Sequence, residues 1–202
     1  MMIHKLLIFV SLALIMVMVG VSSCSKPSPE QEVIFRIDEE LLGETYSDSL
    51  LAIEMRIPVS WRDISEELRV HLDQLMFNGT EEFEEGLFFK KGFGNREQGS
   101  FMLLFDFAYQ KIDADKEKAV LKYLAHYSEG KEVYKQGFFE HNEISFHQLT
   151  SGDNGVVNIK LLAYGINDSV FALDFFVPET EYLNNIEKIE SSIGSITKKE
   201  WR

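Results

Sequence analysis

Between Glu132 and Val177 the chain reads as four strand-length runs separated only by short polar segments: Glu132 to Phe139, Glu143 to Thr150, Val156 to Gly165 and Ser169 to Val177. The connecting segments are His141-Asn142, Gly152-Asp153-Asn154-Gly155 and Asn167-Asp168, residue types that accept left-handed backbone or hydrogen-bond locally. Connections this short join antiparallel neighbours, because a parallel crossover needs a dozen residues or more. The segment therefore predicts a meander, and the rest of the fold must be built around an antiparallel sheet. Pro178 stops the fourth run. Beyond it Tyr182, Ile186, Ile189, Ile193 and Ile196 are spaced by four and three, which predicts a helix from about Thr180 with an apolar stripe packed on the sheet.

Upstream, Val33 to Ile37 and Leu51 to Ile57 read as strands, the second ended by Pro58, which has no N–H to give a ladder. Trp61 leads into a predicted helix in which Asp63 and Glu66 form a capping pair and Ile64, Leu68, Leu72 and Leu75 share a face. Gly86 to Lys91 and Ser100 to Ala108 follow as strands joined by a Gly92-Phe93-Gly94-Asn95 turn region. Phe101, Leu103, Phe105 and Phe107 alternate with Met102, Leu104 and Ala108, so both faces are apolar and this strand is expected in the sheet interior. Asp113 can cap a helix through about Ser128, with Val120, Leu124 and Tyr127 inward and Gly130 past its end. The order ββαββαββββα is that of an α+β fold, an antiparallel sheet flanked by helices. No internal repeat is present. With 202 residues, 45% of them hydrophobic, the chain suits one core spanning residues 33–202.

A strongly apolar segment, Leu6 to Val21, follows Lys5 and is interrupted by Ser11 and Gly20. It is short for a spanning helix of about 20 residues and fits the apolar region of an export signal. It ends in Gly20-Val21-Ser22-Ser23-Cys24, which resembles the lipobox of bacterial lipoproteins: aliphatic Val21 at −3, and small Ser22 and Ser23 before the cysteine. The resemblance implies that residues 1–23 are a signal peptide, that cleavage precedes Cys24, and that the Cys24 thiol carries palmitate or a similar acyl chain. It also implies a cell-envelope address on the extracytoplasmic side of a membrane, the outer one in a diderm. Two or three acyl chains anchor stably where one binds marginally. Cys24 is the sole cysteine, so the domain after it has neither an internal disulfide nor thiol chemistry. Residues 24–32 are polar and carry Pro27 and Pro29, a composition suited to a tether.

Two further segments carry a second resemblance. Ile53-Glu54-Met55-Arg56-Ile57-Pro58-Val59-Ser60-Trp61 is a strand closed by Pro and Trp. Phe171-Ala172-Leu173-Asp174-Phe175-Phe176-Val177-Pro178 precedes the helix from Tyr182 to Ile196. Together with the element order, they resemble the PsbP/Mog1-like group, an α-β-α sandwich. That resemblance implies a binding or assembly factor rather than an enzyme, and it carries no binding motif onto positions of this chain.

The formal charge of −13 and pI near 4.8 argue against nucleic acid as a partner, since a phosphate-tracking surface is basic. The sequence has no Gly-x-Ser-x-Gly elbow and no His-Glu-x-x-His helix. Gly92-Phe93-Gly94 has two of the three glycines of a dinucleotide fingerprint and joins strand to strand, so it reads as a turn. His141, Glu143 and His147 are the candidate metal ligands. Glu143 and His147 should share a strand face, but a third or fourth ligand is not evident. His71 and His126 fall in helical patterns as surface or boundary residues. Glu81-Glu82-Phe83-Glu84-Glu85 lacks the spacing of a calcium loop and reads as a solvated acidic loop. No cofactor is expected. These features suggest a lipid-anchored envelope protein with a non-catalytic binding or accessory domain acting on a protein partner. The alternatives are a small-ligand or metal carrier, and an enzyme with dispersed catalytic residues, for which a concave pocket with shifted pKa values is the signature.

Overall fold

A computed structural model describes residues 31–32, 35–68, 87–107, 129–166 and 169–199. The chain divides after Gln31, and residues 32–202 form the unit that holds the fold. Its strands are β1 (Gln31–Glu32), β2 (Leu42–Asp48), β3 (Ile53–Pro58), β4 (Arg62–Asp63), β5 (Leu87–Asn95), β6 (Ser100–Phe107), β7 (Glu132–His141), β8 (Ile144–Asp153), β9 (Val156–Ile166), β10 (Ser169–Pro178) and β11 (Thr197–Lys198). A helix, Tyr182–Gly194, runs between β10 and β11. The large sheet has the order β1-β7-β8-β9-β10-β6-β5-β4, and a small sheet has the order β11-β3-β2. From β2 onward the paired strands are antiparallel. Among the described residues no helix is long and apolar enough to cross a membrane.

Strands β7 to β10 are the predicted meander, with the ends moved by a few residues; the Asn167-Asp168 connection lies outside the described residues. Asn142 and Glu143 hold φ of 50° and 60°, the two left-handed positions of a tight hairpin turn, so β8 begins at Ile144 instead of Glu143. Registers are continuous from Asp153↔Val156 to Ser145↔Tyr164 and from Val156↔Pro178 to Tyr164↔Val170. As expected, β6 lies inside the sheet, between β10 and β5, and Met102, Leu103 and Leu104 are buried. The predicted closing helix is present. Its Ile189 and Ile193, with Ile196 just beyond, join Ile53, Met55 and Ile57 of β3 in a core on one face of the large sheet.

Several expectations are corrected. The first long strand is β2, not Val33 to Ile37: Phe35 to Asp38 is not in a strand, and Val33 and Ile34 lie outside the described residues. Strand β2 escapes pattern reading because its pairing with β3 shifts register between Leu42 and Thr45, which breaks the two-residue period. The Gly92-Phe93-Gly94 segment is not a turn. It is strand, and the turn is residues 96–99, where Gly99 has φ of 64°. Phe93 fills the core while the glycines clear the other face: a Cβ at Gly92 would lie 2.5 Å from Leu68 Cδ1, and one at Gly94 2.8 Å from Ile64 Cδ1. The helix expected after Trp61 begins only at Ser65, after β4, and is described through residue 68. Asp63 accepts from the Ser65 N–H at 2.9 Å, so its carboxylate serves that helix start. The rest of that helix, the Asp113 to Ser128 helix, His71, His126 and Glu81 to Glu85 lie outside the described residues.

The closing helix docks by hydrogen bonds as well as by apolar contact. Strand β11 covers only Ile53 and Glu54 of β3. Past it, Ser192 Oγ donates to the Arg56 carbonyl at 2.6 Å, and the Arg56 N–H donates to Ser195 Oγ at 2.8 Å. Serine hydroxyls thus satisfy a stretch of edge backbone that would otherwise be buried without partners. At the helix end a Cβ on Gly194 would stand 2.5 Å from the Phe35 Cβ. Gly194→Val is therefore expected to lower stability by about 1–3 kcal/mol through overpacking, read as a fall in the urea midpoint. An unchanged midpoint would mean that Phe35 is not held there.

Candidate functional site

His141, Glu143 and His147 are not brought together. The register Phe138↔His147 and Phe139↔Phe146 sets His147 beside Phe138 on one face of the sheet, while Phe139 and His141, two apart, share the other. His141 Nε2 lies 2.7 Å from the Gly194 carbonyl, and Asn142 Nδ2 donates to the Ile196 carbonyl at 2.8 Å, so this turn caps the end of the closing helix. Glu143, in the turn, lies 3.5 Å from Lys198 Nζ. His147 is 2% exposed, with the Phe138 ring against it at 3.6 Å and its Nε2 hydrogen-bonded to the Tyr164 hydroxyl. Burial pushes its pKa down from 6.5 to about 4, which leaves a neutral imidazole at ordinary pH. Among the described residues no three His, Cys, Asp or Glu side chains group to hold a metal. Cys24 lies outside the described residues.

The face that carries His147 also holds a buried ion pair that pattern reading missed. Lys160 on β9 stands directly opposite Asp174 on β10, and the two form a salt bridge with side chains 0% and 5% exposed. Burial raises the Asp174 pKa while the Lys160 ammonium and its hydrogen bond oppose the rise. Burial and the like charge of Lys160 lower the pKa of Lys131. Asn158, two residues before Lys160, donates to the Phe175 carbonyl at 3.0 Å, and Ser151 stands opposite Asn158. Asp174 Oδ1, Asn158 Oδ1 and Ser151 Oγ are buried without hydrogen-bond partners among the described residues. Such groups in a native interior ordinarily bind ordered water. The sequence signal was there to find: one Lys and one Asp, each in the middle of an otherwise apolar strand.

A concave site lies at the far end of the sheet. Trp61 N–H donates to the Pro58 carbonyl at 3.1 Å, closing a turn in which Ser60 holds φ of 69°. That turn, β4 and the β5–β6 turn surround a cleft of about 570 Å³ lined by Ser60, Arg62, Asp63, Ile64, Gly94, Asn95, Arg96 and Glu97. Asn95 organises the wall: its Oδ1 accepts from the Glu97 and Gln98 N–H groups at 3.1 and 3.3 Å, and its Nδ2 donates to Gln98 Oε1 at 3.1 Å and Ser60 Oγ at 3.4 Å. Burial opposes ionisation of Asp63, but bonds from Lys91 and from Ser65 outweigh it and hold the pKa at about 2. Arg96 is paired with Glu67. The cleft can offer the exposed Arg62 guanidinium and the exposed Glu97 carboxylate to a small polar ligand. No nucleophile–base pair is formed by its described side chains.

No family model matches the sequence, and no curated protein does. Among solved structures, the solution structure of cyanobacterial PsbP (CyanoP) from Synechocystis sp. PCC 6803 is similar, with a TM-score of 0.50 and 13% identity over 89% of this chain and 99% of that one. At that identity the likeness concerns the fold, and by its largely antiparallel sheets, few helices and closing helix this chain has a PsbP-like fold.

Proposed function

We propose that this is a lipid-anchored cell-envelope protein whose PsbP-like domain is a binding or accessory module for a protein partner, held to the membrane through Cys24. The observation that carries the reading is the apolar surface left exposed on β7 of the large sheet by Val133, Tyr134 and Phe138. Phe35 packs against Phe139 and His141 at 5.6 and 4.9 Å, at the end of the sheet where β7 turns into β8. The cleft lies at the other end, beside Ser100 and Pro178, roughly 30 Å away along a ten-residue strand. Exposed Val133, Tyr134 and Phe138 on β7 add apolar contact area of the kind that protein interfaces use.

The test is co-purification from gently solubilised membranes, with the native chain beside Cys24→Ala. The expected result is a reproducible envelope protein with the native bait, lost with the variant because the variant is not delivered to the same surface. If the lipidated native chain brings down no partner by cross-linking either, the accessory role is wrong and a small-ligand carrier takes its place.

A further inference from the structure

The cleft carries two charges of opposite sign that have no ion-pair partner among the described residues. Asp63 is neutralised by Lys91 and Arg96 by Glu67. Arg62 and Glu97, both exposed on the lining, are left over. Asn95 and Ser60 brace the wall: both Asn95 Nδ2 hydrogens go to Gln98 and Ser60, its Oδ1 accepts from the Glu97 and Gln98 N–H groups, and the Ser60 hydroxyl donates to the Val59 carbonyl. Ser60 is itself informative. Its φ of 69° is left-handed backbone, which glycine adopts freely and a serine adopts at a cost of about 1–2 kcal/mol. Glycine would close the same turn with less strain but would leave no hydroxyl to accept from Asn95 and brace the cleft wall. The volume of about 570 Å³ falls in the range of small-molecule sites.

We propose that this cleft binds a small zwitterion of the free amino acid class, with its carboxylate on the Arg62 guanidinium and its ammonium on the Glu97 carboxylate. A guanidinium suits a carboxylate because its parallel N–H groups meet both oxygens. A ligand with only one charge would leave the other wall group unanswered and bind less well. The proposal stands on the cleft alone and does not depend on the anchoring or on the protein partner.

The test uses the soluble chain from residue 25 onward beside the full lipidated chain, each isotope-labelled, titrated with the common free L-amino acids and followed by NMR at the Gly94 backbone and Asn95 side-chain amides. At about 10 mM ligand, above the ~1 mM dissociation constant of a minimal polar contact, at least one amino acid is expected to give saturable shifts confined to the cleft. Its N-acetyl and its amide derivatives, each lacking one charge, are expected to bind roughly tenfold more weakly, as are Arg62→Gln with the parent ligand and Glu97→Gln with the parent ligand. Lys135→Gln, on β7 away from the cleft, is expected to bind as the native chain does, and native-like spectra of all three variants show that they fold. Absence of saturable shifts with every amino acid overturns the proposal. So does equal affinity for the acetylated or amidated forms, or undiminished binding in Arg62→Gln.

Discussion

Asp174→Leu on its own is expected to lower the unfolding free energy by about 3–5 kcal/mol, and Lys160→Met made in the same chain to recover most of that loss. Lys160 and Asp174 face each other across the two central strands with almost no exposure. Removing the carboxylate takes the Asp174 charge from beside a fully buried ammonium, and the lost compensation falls on the folded state alone. Removing both charges turns the position into apolar cross-strand contact among Leu103, Leu149 and Leu162, neighbours on the same face. Urea unfolding of the two single variants and the double variant measures this as a coupling energy. A single variant that costs less than about 1 kcal/mol would mean that water reaches the pair. The pair also fixes alignment, since a one-residue slip of β10 against β9 would carry Asp174 into the apolar core face.

The stability of the native chain is expected to fall by about 3 kcal/mol between pH 6.5 and pH 4 through His147 alone, at about 1.4 kcal/mol for each unit of pKa change. The folded pKa is depressed to about 4 by burial against Phe138, whereas the unfolded side chain titrates near 6.5. Between those values the unfolded chain binds a proton that the folded chain refuses, so acid favours unfolding. The contribution is complete above pH 6.5, declines as pH falls through the window, and changes no further below about pH 4. His147→Gln, whose amide can still meet the Tyr164 hydroxyl, is expected to abolish this slope. Asp63 has its depressed pKa near 2 and acts in a separate window, its support present above about pH 4 and lost toward pH 2. Unfolding free energies measured across the pH range on both chains check this. A slope that survives in His147→Gln would place the titrating group elsewhere.

The meander and the closing helix were legible because their turn residues and the four-and-three spacing are local signals. Strand β2 was not, since its register shift with β3 destroys the alternation that marks a strand. Gly92 and Gly94 were read through their backbone freedom when their role is steric: Ile64 and Leu68 occupy the space where side chains would be. The placement of His147 and His141 on opposite faces depends on the two left-handed residues of the intervening turn, which a simple count along the strand does not register. The cleft was invisible in sequence because its walls come from residues 60–64 and 94–97, two segments brought together by the pairing of β4 with β5.

The proposed cell-envelope address rests on the anchor at Cys24. Its most direct test is intact and peptide mass spectrometry of the chain purified from native membranes. The account requires an N-terminus at Cys24 carrying acyl chains, with residues 1–23 gone. A chain that begins at Met1, or one trimmed at another residue with Cys24 unmodified, would contradict it.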